Sequence, residues 1–209
     1  MSQFTLITGG SRSGKSSFAE LLAAHTALPD RPVTYIATAQ IWDEEMAYRV
    51  KKHQQQRPAS WQLIEEPLNI RDILLQLSDK DGVILLDCVT LWLTNLLLAE
   101  QTDSANNTAS PAPLNDHPMA EQVEPKILSI VQETALLAKE IKPQVIFVTN
   151  EVGQGIVPDN PLARTYRDLA GKSNQILAQY ADKVYWVLAG LPMEIKRSGE
   201  ALLSSLRKE

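Results

Sequence analysis

Residues 4–25 read FTLITGGSRSGKSSFAELLAAH, and the fold turns on this stretch. Phe4 to Thr8 is a short apolar run rich in β-formers, and the segment after Ser16, SFAELLAAH, is compatible with a helix. Between them Gly9, Gly10, Ser11, Arg12, Ser13, Gly14, Lys15 and Ser16 satisfy G-x-x-x-x-G-K-[ST] in its proper strand-to-helix setting. Each residue type has a reason. Glycines let backbone N–H groups converge on phosphates, and the helix N-terminus adds the positive end of a dipole. Lys15 reaches the β/γ oxygens, and Ser16 can ligate Mg²⁺. A Gly/Ser-rich turn that binds nothing is the bland alternative; motif and context together argue against it.

Outward from this loop, apolar runs recur at Val33–Ala37, Val83–Cys88, Val145–Asn150 and Val184–Ala189. Helical patterns separate them at Lys15–Ala27, Asp43–Gln55, Thr90–Glu100, Met119–Ile141 and Pro161–Tyr180, with Pro161 suited to a first helical turn. Strands that read as continuous apolar runs are buried on both faces, the mark of a parallel sheet with crossover helices. The expected fold is α/β, a P-loop NTPase-like (RecA-like) domain with a mostly parallel central sheet flanked by helices. The polar stretch Gln101–Pro118 is read as a surface insertion within one domain spanning residues 1–209. No internal repeat is visible.

Composition narrows the function classes. With 20 basic and 25 acidic residues the net charge is -5, so no global field draws the chain to nucleic acid or an anionic membrane, and any bound anion must be held locally. The single cysteine, Cys88, excludes a disulfide framework and a Cys-rich zinc site. No apolar run is long enough to span a bilayer, and the N-terminus lacks the pattern of a secretory leader. A cytoplasmic location is expected.

The run Gly82-Val83-Ile84-Leu85-Leu86-Asp87 ends a buried strand on a carboxylate, in the manner of a Walker B acid beside Mg²⁺. An Asp in that position could equally cap the helix that follows. Cys88 beside it reads as a small buried apolar residue. Two further segments follow strand ends, where open α/β sheets collect ligands: residues 37–67, beginning ATAQ, and residues 149–160, TNEVGQGIVPDN.

Taken with GGSRSGKS, the motifs YIATAQ, DEEM, R-V-x-x-H-x-x-x-R-P, LLDCVTLWLTNLL, VTNEVGQGIVP and ARTYRDLAGKSNQ resemble the bifunctional adenosylcobinamide kinase/adenosylcobinamide-phosphate guanylyltransferases of cobalamin biosynthesis. The resemblance spans nearly the whole chain apart from the polar insertion and the C-terminal residues. It implies two reactions: phosphorylation of the aminopropanol hydroxyl of adenosylcobinamide by ATP or GTP, then transfer of GMP from GTP to that phosphate with release of pyrophosphate. It places a covalent GMP adduct on His53. It also implies nucleotide contacts from Ala37, Thr38 and Ala39, from Gln54, Gln55, Gln56 and Arg57, and from Glu65. Mg²⁺ would be held with the nucleotide by Ser16 and Asp87, with no tightly bound organic cofactor. The expected partners are GTP, ATP and adenosylcobinamide, with assembly as a homotrimer.

His53 has its own chemistry to weigh. A neutral imidazole can attack an α-phosphorus and form a phosphoramidate that a second acceptor discharges. Lys51, Lys52 and Arg57 make its surroundings locally basic. Against this, Trp42, Met46, Val50 and His53 fall on one face of a helix, where His53 would merely continue a buried stripe. His25 and His117 sit at a helix end and in the polar insertion. The familiar pattern is altered here: Lys52 stands where relatives can carry a second histidine, and Gln54–Gln56 replace a Lys-Asp-Gly run, which bears on base selectivity. Glu65 could accept from guanine N1–H and N2–H₂, or be a solvated strand residue. Asn150, Glu151, Gly153 and Gly155 suggest a tight turn near substrate. Tyr166, Arg167 and Asp168 would serve the corrinoid side or a subunit contact. A simple P-loop small-molecule kinase with a structural His53, and a nucleotide-dependent switch, remain the alternatives.

Overall fold

Each apolar run becomes a strand because both of its faces are covered. The computed structural model describes residues 3–27, 31–40, 58–107 and 117–207. In chain order the elements are β1 (Phe4–Thr8), α1 (Lys15–Thr26), β2 (Val33–Ala37), β3 (Gln62–Glu65), α2 (Ile70–Leu77), β4 (Val83–Asp87), α3 (Val89–Asn107), α4 (His117–Glu140), β5 (Gln144–Val148), α5 (Pro161–Tyr180), β6 (Lys183–Leu188), β7 (Leu191–Glu194) and α6 (Lys196–Leu206). One seven-stranded sheet runs β3-β2-β4-β5-β1-β6-β7. All neighbours are parallel except β6 and β7, which form an antiparallel hairpin.

Alternation along the strands sorts the core into two layers. Phe4, Leu6, Ile36, Ile84, Leu86, Val145 and Phe147 face α2 to α5, around the fully buried Trp92. Its indole N–H is not left unpaired in that apolar setting, because it donates to the Leu68 carbonyl at 2.9 Å. Ile7, Val33, Tyr35, Val83, Leu85, Ile146 and Val148 face the other way, onto Ala19 and Ala23 of α1. Those alanines lie one helical turn apart, and their small side chains let α1 sit close to the sheet.

The register sets the functional edge. Glu65 pairs with Ala37, Ala37 with Asp87, Asp87 with Val148, Val148 with Ile7 and Ile7 with Tyr185. One level row of residues therefore crosses the sheet at its C-terminal edge, just below the phosphate loop. β4 enters the sheet through Gly82, whose φ of 142° leaves L side chains no room; a Cβ there would meet the Pro32 carbonyl oxygen at 2.6 Å.

The structure bears out the α/β class, the P-loop NTPase-like sheet and the five expected strands, β1 and β2 with the expected bounds and β4, β5 and β6 with ends shifted by one or two residues. Pro161 does open α5, capped by the Asn160 side chain. The helix α3 departs from expectation. It continues past Glu100 to Asn107, into the stretch read as a polar loop, because adding a residue to an existing helix gains a hydrogen bond at little cost even for Ser, Asp and Asn. The helix expected at Asp43–Gln55 lies outside the described residues. Sequence reading did not find β3, α2, β7 and α6: β3 and β7 have four residues each and α2 has eight, while α6 buries none of its side chains.

Leu86 is fully buried beside Asp87. Leu86→Ala is expected to lower unfolding free energy by about 2–5 kcal/mol. Urea unfolding followed by circular dichroism measures it, and a cost near zero would show that the sheet face is not close-packed there.

Candidate active site

The phosphate loop leaves β1 between β5 and β6 and is fastened on both sides. Glu151 N–H, past the end of β5, donates to the Gly9 carbonyl at 3.1 Å, and Gly190 N–H, in the β6–β7 turn, donates to the Ser13 carbonyl at 2.8 Å. Packing is as tight as the bonding. A Cβ on Gly9 would stand 2.5 Å from the Val187 carbonyl oxygen and 2.7 Å from Ser13 Oγ, and one on Gly14 would stand 3.1 Å from Gly190 Cα. Gly14 also adopts φ 93° to turn the chain into α1. These two positions accept only glycine.

Arg12 is the exception to that economy. It has φ 59°, a left-handed conformation that costs a non-glycine residue about 1–2 kcal/mol. Its side chain is exposed and makes no ion pair with any described residue.

Lys15 opens α1 and is 9% exposed. Burial lowers its pKa, and the carboxylate of Asp87 opposes that shift. The Cys88 thiol is pushed up to about 11, mainly by burial, so it is neutral at physiological pH and Asp87 is the charge that counts. Lys15 Nζ donates to the Gly10 carbonyl at 3.2 Å, within its own loop. Ser13 Oγ and Thr8 Oγ1 are buried without a hydrogen-bond partner. Asp87 makes no hydrogen bond with a described residue, and α3 begins at Val89, so the carboxylate is not consumed as a cap.

A buried polar network braces this edge from behind. Thr38 Oγ1 accepts from Cys88 N–H at 2.9 Å and donates to the Cys88 carbonyl at 2.8 Å, joining the ends of β2 and β4. Asn95 Nδ2 donates to the Thr38 carbonyl at 2.8 Å. Asn150 Nδ2 donates to Thr90 Oγ1 at 2.7 Å, and Thr90 Oγ1 lies 3.1 Å from Cys88 Sγ. Asn174 Nδ2 donates to the Asn150 carbonyl at 3.1 Å and its Oδ1 accepts from Thr149 Oγ1 at 2.7 Å. Tyr166 OH donates to the Thr90 carbonyl at 3.0 Å, and burial pushes its pKa up to about 12. The turn after β5 is held by Glu151 Oε1, which accepts from Gly153 N–H at 2.9 Å, and by Arg167, which donates to the Gly153 carbonyl at 2.8 Å.

Gly9–Ser16, Ala37, Thr38, Ala39 and Asp87 thus share one edge of the sheet. Thr38 already spends its hydroxyl on Cys88. Glu65 is exposed and four inter-strand steps from β1, a span of about 19 Å. His53, Gln54, Gln55, Gln56 and Arg57 lie outside the described residues. Thr90, Asn174 and Gly190 escaped sequence reading, since their partners lie far away along the chain.

Residues 5–195 match the family described as cobinamide kinase / cobinamide phosphate guanyltransferase. The chain belongs to that family. It is 40% identical over 198 residues to the bifunctional adenosylcobalamin biosynthesis protein CobP of Pseudomonas aeruginosa, covering 94% of this chain and 98% of the relative. It is 40% identical over 192 residues to the corresponding protein CobU of Salmonella typhimurium, covering 91% and 98%. A solved ATPase of a bacterial type III secretion system has a TM-score of 0.53 at 12% identity, over 94% of this chain and 57% of that one; the likeness is of fold.

The family's phosphate chemistry needs a loop that stays open. Gly9→Ala, whose added methyl collides with the Val187 carbonyl, should weaken GTP binding roughly 10- to 100-fold by displacing loop N–H donors worth about 1–3 kcal/mol. Isothermal titration measures it, and unchanged affinity would show that these donors do not hold the phosphates.

Proposed function

We propose that the loop Gly9–Ser16 holds the triphosphate for both reactions of this family and that His53 carries GMP from GTP to cobinamide phosphate in the second. The two activities themselves, cobinamide kinase and cobinamide phosphate guanylyltransferase, accompany family membership. The observation that carries the site reading is Lys15, a mostly buried ammonium whose nearest hydrogen-bond partner is its own loop and which faces the charge of Asp87. A phosphate group entering the loop would replace that weak internal contact with charge-assisted bonds.

In the kinase step the cobinamide hydroxyl oxygen bonds to the γ-phosphorus as the bond to the bridging oxygen breaks, and the nucleoside diphosphate leaves. In the second step a nitrogen of neutral His53 attacks the α-phosphorus of GTP and pyrophosphate leaves with the bonding pair. Water takes the imidazole proton, and an oxygen of cobinamide phosphate then displaces the histidine, whose nitrogen keeps the electron pair of the broken P–N bond and takes a proton back from water. Splitting the transfer lets two acceptors use the site in turn.

Mg²⁺ fits the residues present. The Asp87 carboxylate and the Ser16 hydroxyl are both unclaimed by described residues, and no cluster of three metal-ligating side chains exists among them, as suits an ion bound largely by phosphates and water. Ala37 and Ala39 leave the nucleotide room beside β2, and Glu65, with Gln54–Arg57, would read the guanine. We read residues 1–209 as one cytoplasmic domain assembled as a homotrimer. No described helix is long and apolar enough to cross a membrane. Leu191 and Met193 of β7 and Leu202 and Leu206 of α6 are exposed and available for subunit contact.

Incubation with α-labelled GTP followed by denaturation should leave an acid-labile, alkali-stable label of GMP mass that disappears in His53→Ala. Label persisting in that variant would remove His53 from the role; no label on the native protein would leave the direct, uncovalent transfer as the reading.

A further inference from the structure

We propose that Arg12 is a catalytic cation, placed at the apex of the phosphate loop to neutralise the charge that develops on the triphosphate as its terminal phosphoryl group leaves. The proposal rests on the reading of Gly9–Ser16 as the triphosphate site and assigns Arg12 a task beyond lending backbone to that loop.

The first ground is a local conflict. The loop contains Gly9, Gly10 and Gly14, yet the one residue between Gly10 and Gly14 with a left-handed backbone, at φ 59°, is an arginine. Glycine would adopt that conformation without steric cost. Two backbone bonds flank the conformation, one from outside the loop, Gly190 N–H to the Ser13 carbonyl at 2.8 Å, and one within it, Ser13 N–H to the Gly10 carbonyl at 3.3 Å. Strain at such a position persists where the side chain serves something other than folding.

The second ground is what the side chain lacks. Arg12 is exposed, and neither an ion pair nor a hydrogen bond ties its guanidinium to a described residue. Among the described residues, Arg164 donates to the Pro158 and Asp159 carbonyls and Arg167 to the Gly153 carbonyl.

The third ground is the charge count. Lys15 is the one mostly buried cation of the loop, Asp87 adds a negative charge facing it, and the chain is net -5. Beside the loop N–H groups, the α1 dipole and a nucleotide-borne Mg²⁺, the loop's buried side-chain charge for the terminal phosphates is Lys15, and Asp87 opposes it. Arg12 supplies a planar, permanently charged fork that matches phosphate oxygens bidentately. As the acceptor hydroxyl oxygen bonds to the γ-phosphorus and its proton passes to water, the β,γ-bridging oxygen keeps the electron pair of the breaking bond. Arg12 stabilises that growing charge, so its effect falls on turnover more than on binding.

The test sets stability against activity in the full-length protein, with γ-labelled GTP and adenosylcobinamide. Arg12→Gly should melt about 2–4 °C higher, because the strain is relieved. Its kcat should fall on the order of 100-fold while KM for the nucleotide stays within about threefold. Arg12→Lys, which keeps the charge and loses the fork, should fall between the two. If Arg12→Gly fails to fold, Arg12→Asn, which also tolerates left-handed backbone, replaces it with the same expected kinetics. A glycine variant as active as the native protein would overturn the proposal, as would a loss confined to KM. Native protein that transfers no γ-phosphate at all would instead overturn the reading of the loop as the kinase site.

Discussion

Two backbone hydrogen bonds hold the phosphate loop to its neighbours, Glu151 N–H to the Gly9 carbonyl and Gly190 N–H to the Ser13 carbonyl. Each donor comes from the chain just past a strand that flanks β1, so the loop's shape depends on β5, β1 and β6 being parallel and in register. A loop of this kind has no side-chain core of its own and would otherwise lose the conformational freedom of its glycines at a cost of about 1–2 kcal/mol per residue on ordering. Fastened at both shoulders, it is preorganised, and binding need not supply that ordering.

The same economy explains the polar groups behind the loop. Thr38, Thr90, Asn95, Asn150 and Asn174 are mostly buried, and a buried polar group left unpaired costs about 1–3 kcal/mol. They satisfy one another instead, tying the ends of β2, β4 and β5 to α3 and α5. The outcome is a rigid wall beside the site, with Asp87 left outside the bonded network. What remains unsatisfied at this edge, Ser13 Oγ, Thr8 Oγ1 and the free Asp87 carboxylate, lies around the loop.

Much of the fold was legible because its cause is local. Phe4–Thr8 and Val83–Asp87 are continuous apolar runs since parallel strands are covered on both faces. Asn160-Pro161 marks a helix start through fixed φ and a side-chain cap. The elements that escaped have no such signal. Four exposed-leaning residues at the sheet edge, as in Gln62–Glu65, gain their strand state from pairing with β2, and Thr102 to Asn107 become helical by extending a helix already formed. Polarity alone does not separate a loop from the solvent face of a helix.

Sequence by itself determined the ligand class: the spacing of Gly9, Gly14, Lys15 and Ser16, after an apolar run, dictates a phosphate loop through backbone geometry and the helix dipole. It also carried the family, since several uncommon motifs recur in order. Tertiary structure alone decided which groups share an edge. Asp87 faces Lys15 because β5 holds β4 and β1 in register, Thr38 is a staple because β2 ends beside Cys88, and the loop beside Arg12 is fastened because Gly190, from the far end of the chain, bonds to the carbonyl of Ser13. Those relations join residues widely separated along the chain, and only packing brings them together.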